Sequence, residues 1–322
     1  MIYRFLTVCL SAMMFSGCDN INSNDLKADN NGSAEFIKKV KKQFVHVEGG
    51  KFEMGDFGVE HYEEHLPLDP KQDSKPLHEV ELSSFSISKF KTTNEEFQYY
   101  QKYEGIPIRK GTGPMVQKAW DTLNRLKNTP AHADWYEADK YCTWLGKVTN
   151  LPISLATEAQ WEYAARSGGK YFVTPTDDGT WKVDPEGNGI NIATDRDRMQ
   201  WRQQNGIPDS VASALFTALP GDKYPANPLG IYDMSGNGLE WVKDWYDPNY
   251  YQHSPVKDPQ GPKEPSYINP YGKHSKVLRA DEFSAPGKGI TVVRNNQSPD
   301  NNGRMPFGTT FRCVVNSASP VQ

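Results

Sequence analysis

An α+β domain of short strands, two or three helices and long loops is what this sequence predicts, and three observations predict it. Two stretches, Phe44 to Asp56 and Leu77 to Thr93, alternate apolar and polar residues at the strand period. Three others, opening at Thr93, Asp134 and Leu155, carry apolar side chains at helical spacing, the first behind a Thr93 cap and the third behind a Thr157 cap. With 26 Gly and 23 Pro in 322 residues, much of the rest falls to loops. Strands and helices are mixed without a βαβ rhythm, which implies antiparallel pairing within one domain of about 275 residues.

In chain order, MIYRFLTVCLSAMMFSGCDN carries one positive charge at Arg4, an apolar run from Phe5 to Phe15, and small residues before Cys18. Such a run is a secretory signal, too short for a stable membrane span. Ser16-Gly17-Cys18 resembles the bacterial lipobox, which implies cleavage after residue 17 and acylation of Cys18 as an anchor. Asp19 resembles an inner-membrane retention signal. The expected location is therefore the bacterial cell envelope, lipid-anchored and periplasm-facing, at the inner rather than the outer membrane. Residues 18–43 are polar and Asn-rich and read as a lipidated, flexible tether. The folded domain is expected over 44–316.

Within that domain, FVHVEGGKFEMGD reads as a hairpin about Gly49-Gly50, and LHEVELSSFSISKFKTT as two further strands. TNEEFQYYQKY has a Thr93 cap and an acidic first turn. DWYEADKYCTWLGKV and LATEAQWEYAARSGG supply the other two helices, the last stopped by Gly168-Gly169. Lys170 to Pro228 reads as mostly irregular, with one amphipathic piece near Asp209 to Phe216. Short strands and turns follow, ending in FRCVV.

The net charge of −4 argues against nucleic acid or an acidic membrane as a partner bound through bulk electrostatics. Of four cysteines, Cys9 and Cys18 belong to the targeting segment, leaving Cys142 and Cys313. In an oxidising compartment they read as a disulfide, with two separate buried thiols as the alternative.

Seven stretches taken together resemble the formylglycine-generating enzyme, or sulfatase-modifying factor, family: VEGGKFEMGD, FSISKFKTTNEEFQYY, ADWYEADKYCTWLGK, LATEAQWEYAARSGG, NPLGIYDMSGNGLEW, KVLRADEF and TTFRC. They keep the family's order over about residues 44 to 316. The resemblance implies a C-type-lectin-like fold and favours the disulfide, since a matching pair is bridged in some members. Active members oxidise a sulfatase cysteine with copper held by two cysteines in the loop after the strand matched by KVLR. That loop here holds Ala285, Pro286, Lys288 and Ile290, and Ala280-Asp281-Glu282 replaces the family's Gly-Gly-Ser. Soft thiolates are what Cu(I) requires. No copper and no formylglycine-generating activity are therefore expected.

The resemblance further implies a structural calcium site at Asn237, Gly238 and Glu240, with Asn188 and Asn191 upstream joining a second one. The alternative is a turn closed by Asn and a solvated Glu. HYEEH (His61 to His65) fits a zinc pattern but lacks a capped helix and reads as a solvated loop. The stretch DWYDPNYYQHSP places Trp245, Tyr246, Tyr250 and Tyr251 in a Pro-containing loop suited to protein recognition. The expectation is a noncatalytic, membrane-tethered binding protein. Its concrete form is an immunity protein against a secreted toxin such as a type VI lipase effector. An enzyme using other residues, or a structural envelope lipoprotein, stands as the alternative.

Overall fold

The computed structural model describes residues 30–207 and 218–322. Cys18, the signal segment and the Asp209 to Phe216 piece lie outside them. Among the described residues, seven helices appear where two or three were expected: α1 (Asn30–Lys41), α2 (Gly58–His61), α3 (Asn94–Glu104), α4 (Pro114–Arg125), α5 (Trp135–Thr149), α6 (Glu158–Ala165) and α7 (Asp195–Gln204). None of the described helices is long and apolar enough to cross a membrane.

The three helices read from the sequence owe their starts to capping boxes. Thr93, Asp134 and Thr157 each accept from the backbone N–H three residues on, and Glu96, Glu137 and Gln160 reach back. Thr194 and Asp197 form a fourth box at α7, a helix the sequence reading missed because its charged residues hide any apolar period. The missed α4 begins on Pro114 at its first turn and buries Trp120 and Leu123.

Ten short strands form three sheets: β1 (Phe44–Val47), β2 (Gly50–Met54), β3 (His78–Leu82), β4 (Phe85–Ser88), β5 (Ile153–Leu155), β6 (Leu239–Trp245), β7 (Lys276–Arg279), β8 (Asn295–Gln297), β9 (Thr309–Phe311) and β10 (Cys313–Val315). Their orders are β1-β4-β10-β5, β2-β3 and β8-β7-β6-β9. The pairing is antiparallel except for β6 with β9.

The expected hairpin is corrected. β1 pairs with β4 and β2 with β3, so Gly49-Gly50 passes the chain from one sheet to another. A Cβ at Gly49 would lie 2.2 Å from the Leu82 carbonyl oxygen, so close approach of backbones, not a turn, demands the glycine.

The expected tether is corrected too. Its second half is α1, whose Phe36 stacks on Tyr99 at 4.0 Å and whose Val40 is buried. The folded unit therefore takes in residues 30–43.

Two cores result. Trp161, Phe85, Ile87, Val242 and Val314 fill one; Tyr141, Trp144, Trp241 and Phe311 fill the other. In the second, Cys142 of α5 is bonded to Cys313 of β10, Cα to Cα 5.7 Å.

Candidate functional site

β7 is buried along its whole length between β6 and β8, and it delivers the chain into the 280–291 loop. Arg279, at its end, donates to Glu158 (2.9 Å) and Glu162 (3.0 Å) of α6 and to the Thr291 carbonyl. One guanidinium thus ties both ends of the loop to a helix. Arg294 grips Glu158 with two nitrogens, and Arg166 donates to Glu162 at 2.9 Å. Burial works to raise the Glu158 carboxyl, but the Arg294 and Arg279 charges outweigh it and hold it below its ordinary value. Asp244, which accepts from the Glu158 N–H at 2.8 Å, is pushed up to about 7 by burial and by the Glu158 charge.

The loop itself is fastened throughout. Ala280 takes a left-handed φ of 67°. The Glu282 carbonyl accepts from the Gly238 N–H, Ser284 Oγ meets Ser235 Oγ at 3.1 Å, and Arg198 donates to the Ser284 carbonyl at 2.6 Å. At Gly289, φ is +63° and a Cβ would fall 1.6 Å from the Ser235 carbonyl oxygen. From Ala280 to Thr291 the sequence contains no Cys, His or Met.

Residues 32–317 match the sulfatase-modifying factor enzyme 1-like domain. The chain belongs to that family. It is 27% identical to the formylglycine-generating enzyme of Streptomyces coelicolor, covering 84% of this chain and 88% of that protein. It is also 25% identical over 241 residues to the mouse inactive C-alpha-formylglycine-generating enzyme 2, covering 63% of this chain and 69% of that one. Among solved structures, PvdO from Pseudomonas aeruginosa superimposes with a TM-score of 0.58 at 22% identity, over 84% of this chain and 93% of PvdO, a likeness of fold.

Copper does not fit this sulfatase-modifying factor domain at the loop after β7. The only cysteines among the described residues are joined to each other, and the loop offers Ala285 and Ile290 instead of soft donors.

The expected calcium ligands do not fit that ion either. Glu240 is fully buried, and its two oxygens are taken by Lys91 (2.7 Å) and by Arg312 (2.6 and 2.9 Å). Burial opposes ionisation of Glu240, yet Arg312 and Lys91 hold its carboxyl at about 2. Two cations occupy the charge that a third would need. The Gly238 carbonyl accepts from Lys91, and Asn237 closes on both backbone groups of Leu219. Asn191 is spent on the Lys182 N–H and on Asp177. Among the described residues, no cluster of three His, Cys, Asp or Glu is placed to hold a metal.

The expected recognition aromatics are corrected as well. Tyr246, Tyr250 and Tyr251 are core residues, and Trp245 is half-buried with the Lys276 amine 3.8 Å from its ring centre. The run turns inward because Tyr246 donates to Asp73, and the Arg294 guanidinium lies 4.4 Å from the centre of the Tyr251 ring. In HYEEH the histidines take separate partners, His61 with Glu53 at 3.1 Å and His65 with the Val59 carbonyl at 2.9 Å.

The structure brings further residues to the edge of the loop. Beside the loop is a crevice of about 20 Å³ bordered by Asn191, Tyr224, Asp233, Ser235 and Ser284. It is large enough for a water and no more. Burial pushes Asp233 up to about 7 against the pull of Lys91. Arg198 is buried with Nε and Nη1 lacking hydrogen-bond partners. Asn191 was already a candidate ligand, and Lys91, Asp233 and Ser235 lie inside the matched stretches FSISKFKTTNEEFQYY and NPLGIYDMSGNGLEW; Arg198, Tyr224 and Ser284 had no sequence signal.

Proposed function

We propose that this domain is a noncatalytic binding protein tethered to the periplasmic face of the bacterial inner membrane, built on the formylglycine-generating enzyme fold. In its concrete form it is an immunity protein that neutralises a secreted toxin, such as a type VI lipase effector. The observation that carries the reading is the loop after β7, whose matched positions hold no thiol and whose backbone is fastened to α6, Ser235 and Arg198. A scaffold kept in such order without its reactive groups serves recognition better than turnover. Cys18 in its lipobox-like setting supports an anchor at the surface such a toxin would attack.

The test is co-expression with the products of neighbouring genes. A nanomolar complex and protection of cells from a co-encoded toxin are expected. Absence of both, or stoichiometric copper or iron in the purified protein, overturns the reading. A second reading, an enzyme using other groups, draws on Asp233, whose carboxyl titrates near 7 beside the loop. A biosynthetic gene neighbourhood and turnover abolished in Asp233→Asn would support it.

A further inference from the structure

One face departs from the charge of the chain as a whole. Residues 30–42 and 102–127 hold ten Lys and Arg against three Asp and Glu, in a protein of net charge −4. Lys38, Lys39, Lys42, Lys102, Lys110 and Lys118 among them are exposed. In the same stretch Ile108 is 59% exposed and Met115 74%, with Ile106 at 37%.

Some of these groups border one groove. It holds about 760 Å³ between α1 and α3, lined by Phe36, Ile106 and Ile108, with Lys39, Lys102 and Lys127 set among Glu35, Glu95 and Glu96; Lys39 pairs with Glu95 at 2.7 Å. The apolar residues are held out rather than swinging free. The Ile106 N–H donates to the Gln101 carbonyl at 2.8 Å, and Arg109 is clamped by Asp134 at 2.6 Å and Glu137 at 2.9 Å. The Gly111 N–H donates to Gln117 at 2.7 Å, tying the loop to α4.

We propose that this face docks on an anionic phospholipid bilayer, with Ile106, Ile108 and Met115 entering the headgroup layer and the surrounding lysines reaching lipid phosphates. Branched apolar side chains ringed by long cationic ones match that boundary: the stems lie along apolar surface while the amines stay with the phosphates. Charge complementarity selects an anionic membrane over a neutral one. The position of the face agrees. The eleven residues between Cys18 and Asn30 span at most about 40 Å, so an anchor at Cys18 enters a bilayer within reach of α1. The inference rests on the envelope placement proposed above.

The experiment uses the full chain carrying Cys18→Ser, so that acylation does not mask the face. It is sedimented with phosphatidylglycerol vesicles and with phosphatidylcholine vesicles. Binding to the anionic vesicles is expected to be about ten-fold tighter and to weaken with salt. The paired variants Ile106→Glu with Ile108→Glu, and Lys102→Glu with Lys118→Glu, are each expected to lose about ten-fold. Their melting curves, unchanged, show the fold intact.

Equal binding to both vesicle types, or variants that bind as the parent does, overturns the proposal. So does a dimer that the same variants dissociate, which would make the face a contact between copies. Partner capture in co-expression is read separately. Its survival in variants that lose vesicles leaves the binding function standing, and its failure beside retained vesicle binding leaves this face standing.

Discussion

Arg294 and Glu158 meet through two parallel hydrogen bonds, Nε to Oε1 at 2.8 Å and Nη2 to Oε2 at 3.0 Å, with both side chains out of water. The pair joins the strand after the 280–291 loop to the first turn of α6, so loop and helix share one electrostatic hinge post. Arg294→Met leaves a buried carboxylate short of a partner and is expected to cost about 3–5 kcal/mol. Urea denaturation measures it, and a loss below 1 kcal/mol (about the worth of an exposed pair) contradicts the assignment.

The sign of pH dependence differs between two carboxylates, Glu240 and Asp233. Glu240 lies at about 2 in the folded protein against an ordinary 4.5, so its stabilisation is full above 4.5 and is lost as pH falls toward 2. Asp233 lies at about 7 against 3.8, so the folded state holds its proton more tightly and stability declines as pH rises from 3.8 through 7. Asp233→Asn is expected to flatten that decline and Glu240→Gln the acid limb. Chemical denaturation across the pH range checks both.

Replacing the loop's missing donors tests the copper argument directly. Ala285→Cys combined with Ile290→Cys is expected to bind Cu(I) under anaerobic conditions, while the parent binds none at that loop. Competition against a chromophoric Cu(I) chelator reports the difference.

Gly289→Ala places a methyl against the Ser235 carbonyl in a left-handed backbone. The loop must open or shift, at an expected cost above about 2 kcal/mol. Limited proteolysis should cut between Ala280 and Thr291 in the variant and not in the parent.

Tyr251 separates core from recognition roles. Its hydroxyl is buried without a partner, so Tyr251→Phe is expected to be neutral or stabilising by up to about 1 kcal/mol. Tyr251→Ala removes a core ring and is expected to cost about 3–5 kcal/mol. Calorimetry of the two variants tests the inward placement.

What the sequence made legible was local. Thr93 and Thr157 marked helix starts as capping residues ahead of an acidic first turn, and the helix after Asp134 showed through the spacing of Tyr141, Trp144 and Leu145. Pairing across sheets was not legible. Gly49-Gly50 suits a hairpin turn equally well, and only Leu82 and Ser84, more than thirty residues away, show why glycine stands there. The residues expected to hold calcium were misread for a related reason. Asn237, Gly238 and Glu240 make an oxygen-rich triplet, but the cations that claim Glu240 come from Lys91 and Arg312, far off in the chain. Trp245 to Tyr251 looked like an exposed aromatic loop, because nothing nearby announced that Asp73 and Arg294 would draw its tyrosines inward.

β10 occupies an interior place in its sheet, between β4 and β5, although it lies at residues 313–315. The sheet therefore cannot be completed by a growing chain until almost everything described here has been synthesised. Up to that moment β4 and β5 expose unpaired edges, and Cys142 has no thiol to meet. The strand order itself keeps the chain from closing this sheet before its last residues are made. Formation of the Cys142–Cys313 bond then serves as a chemical timestamp that the last strand has arrived.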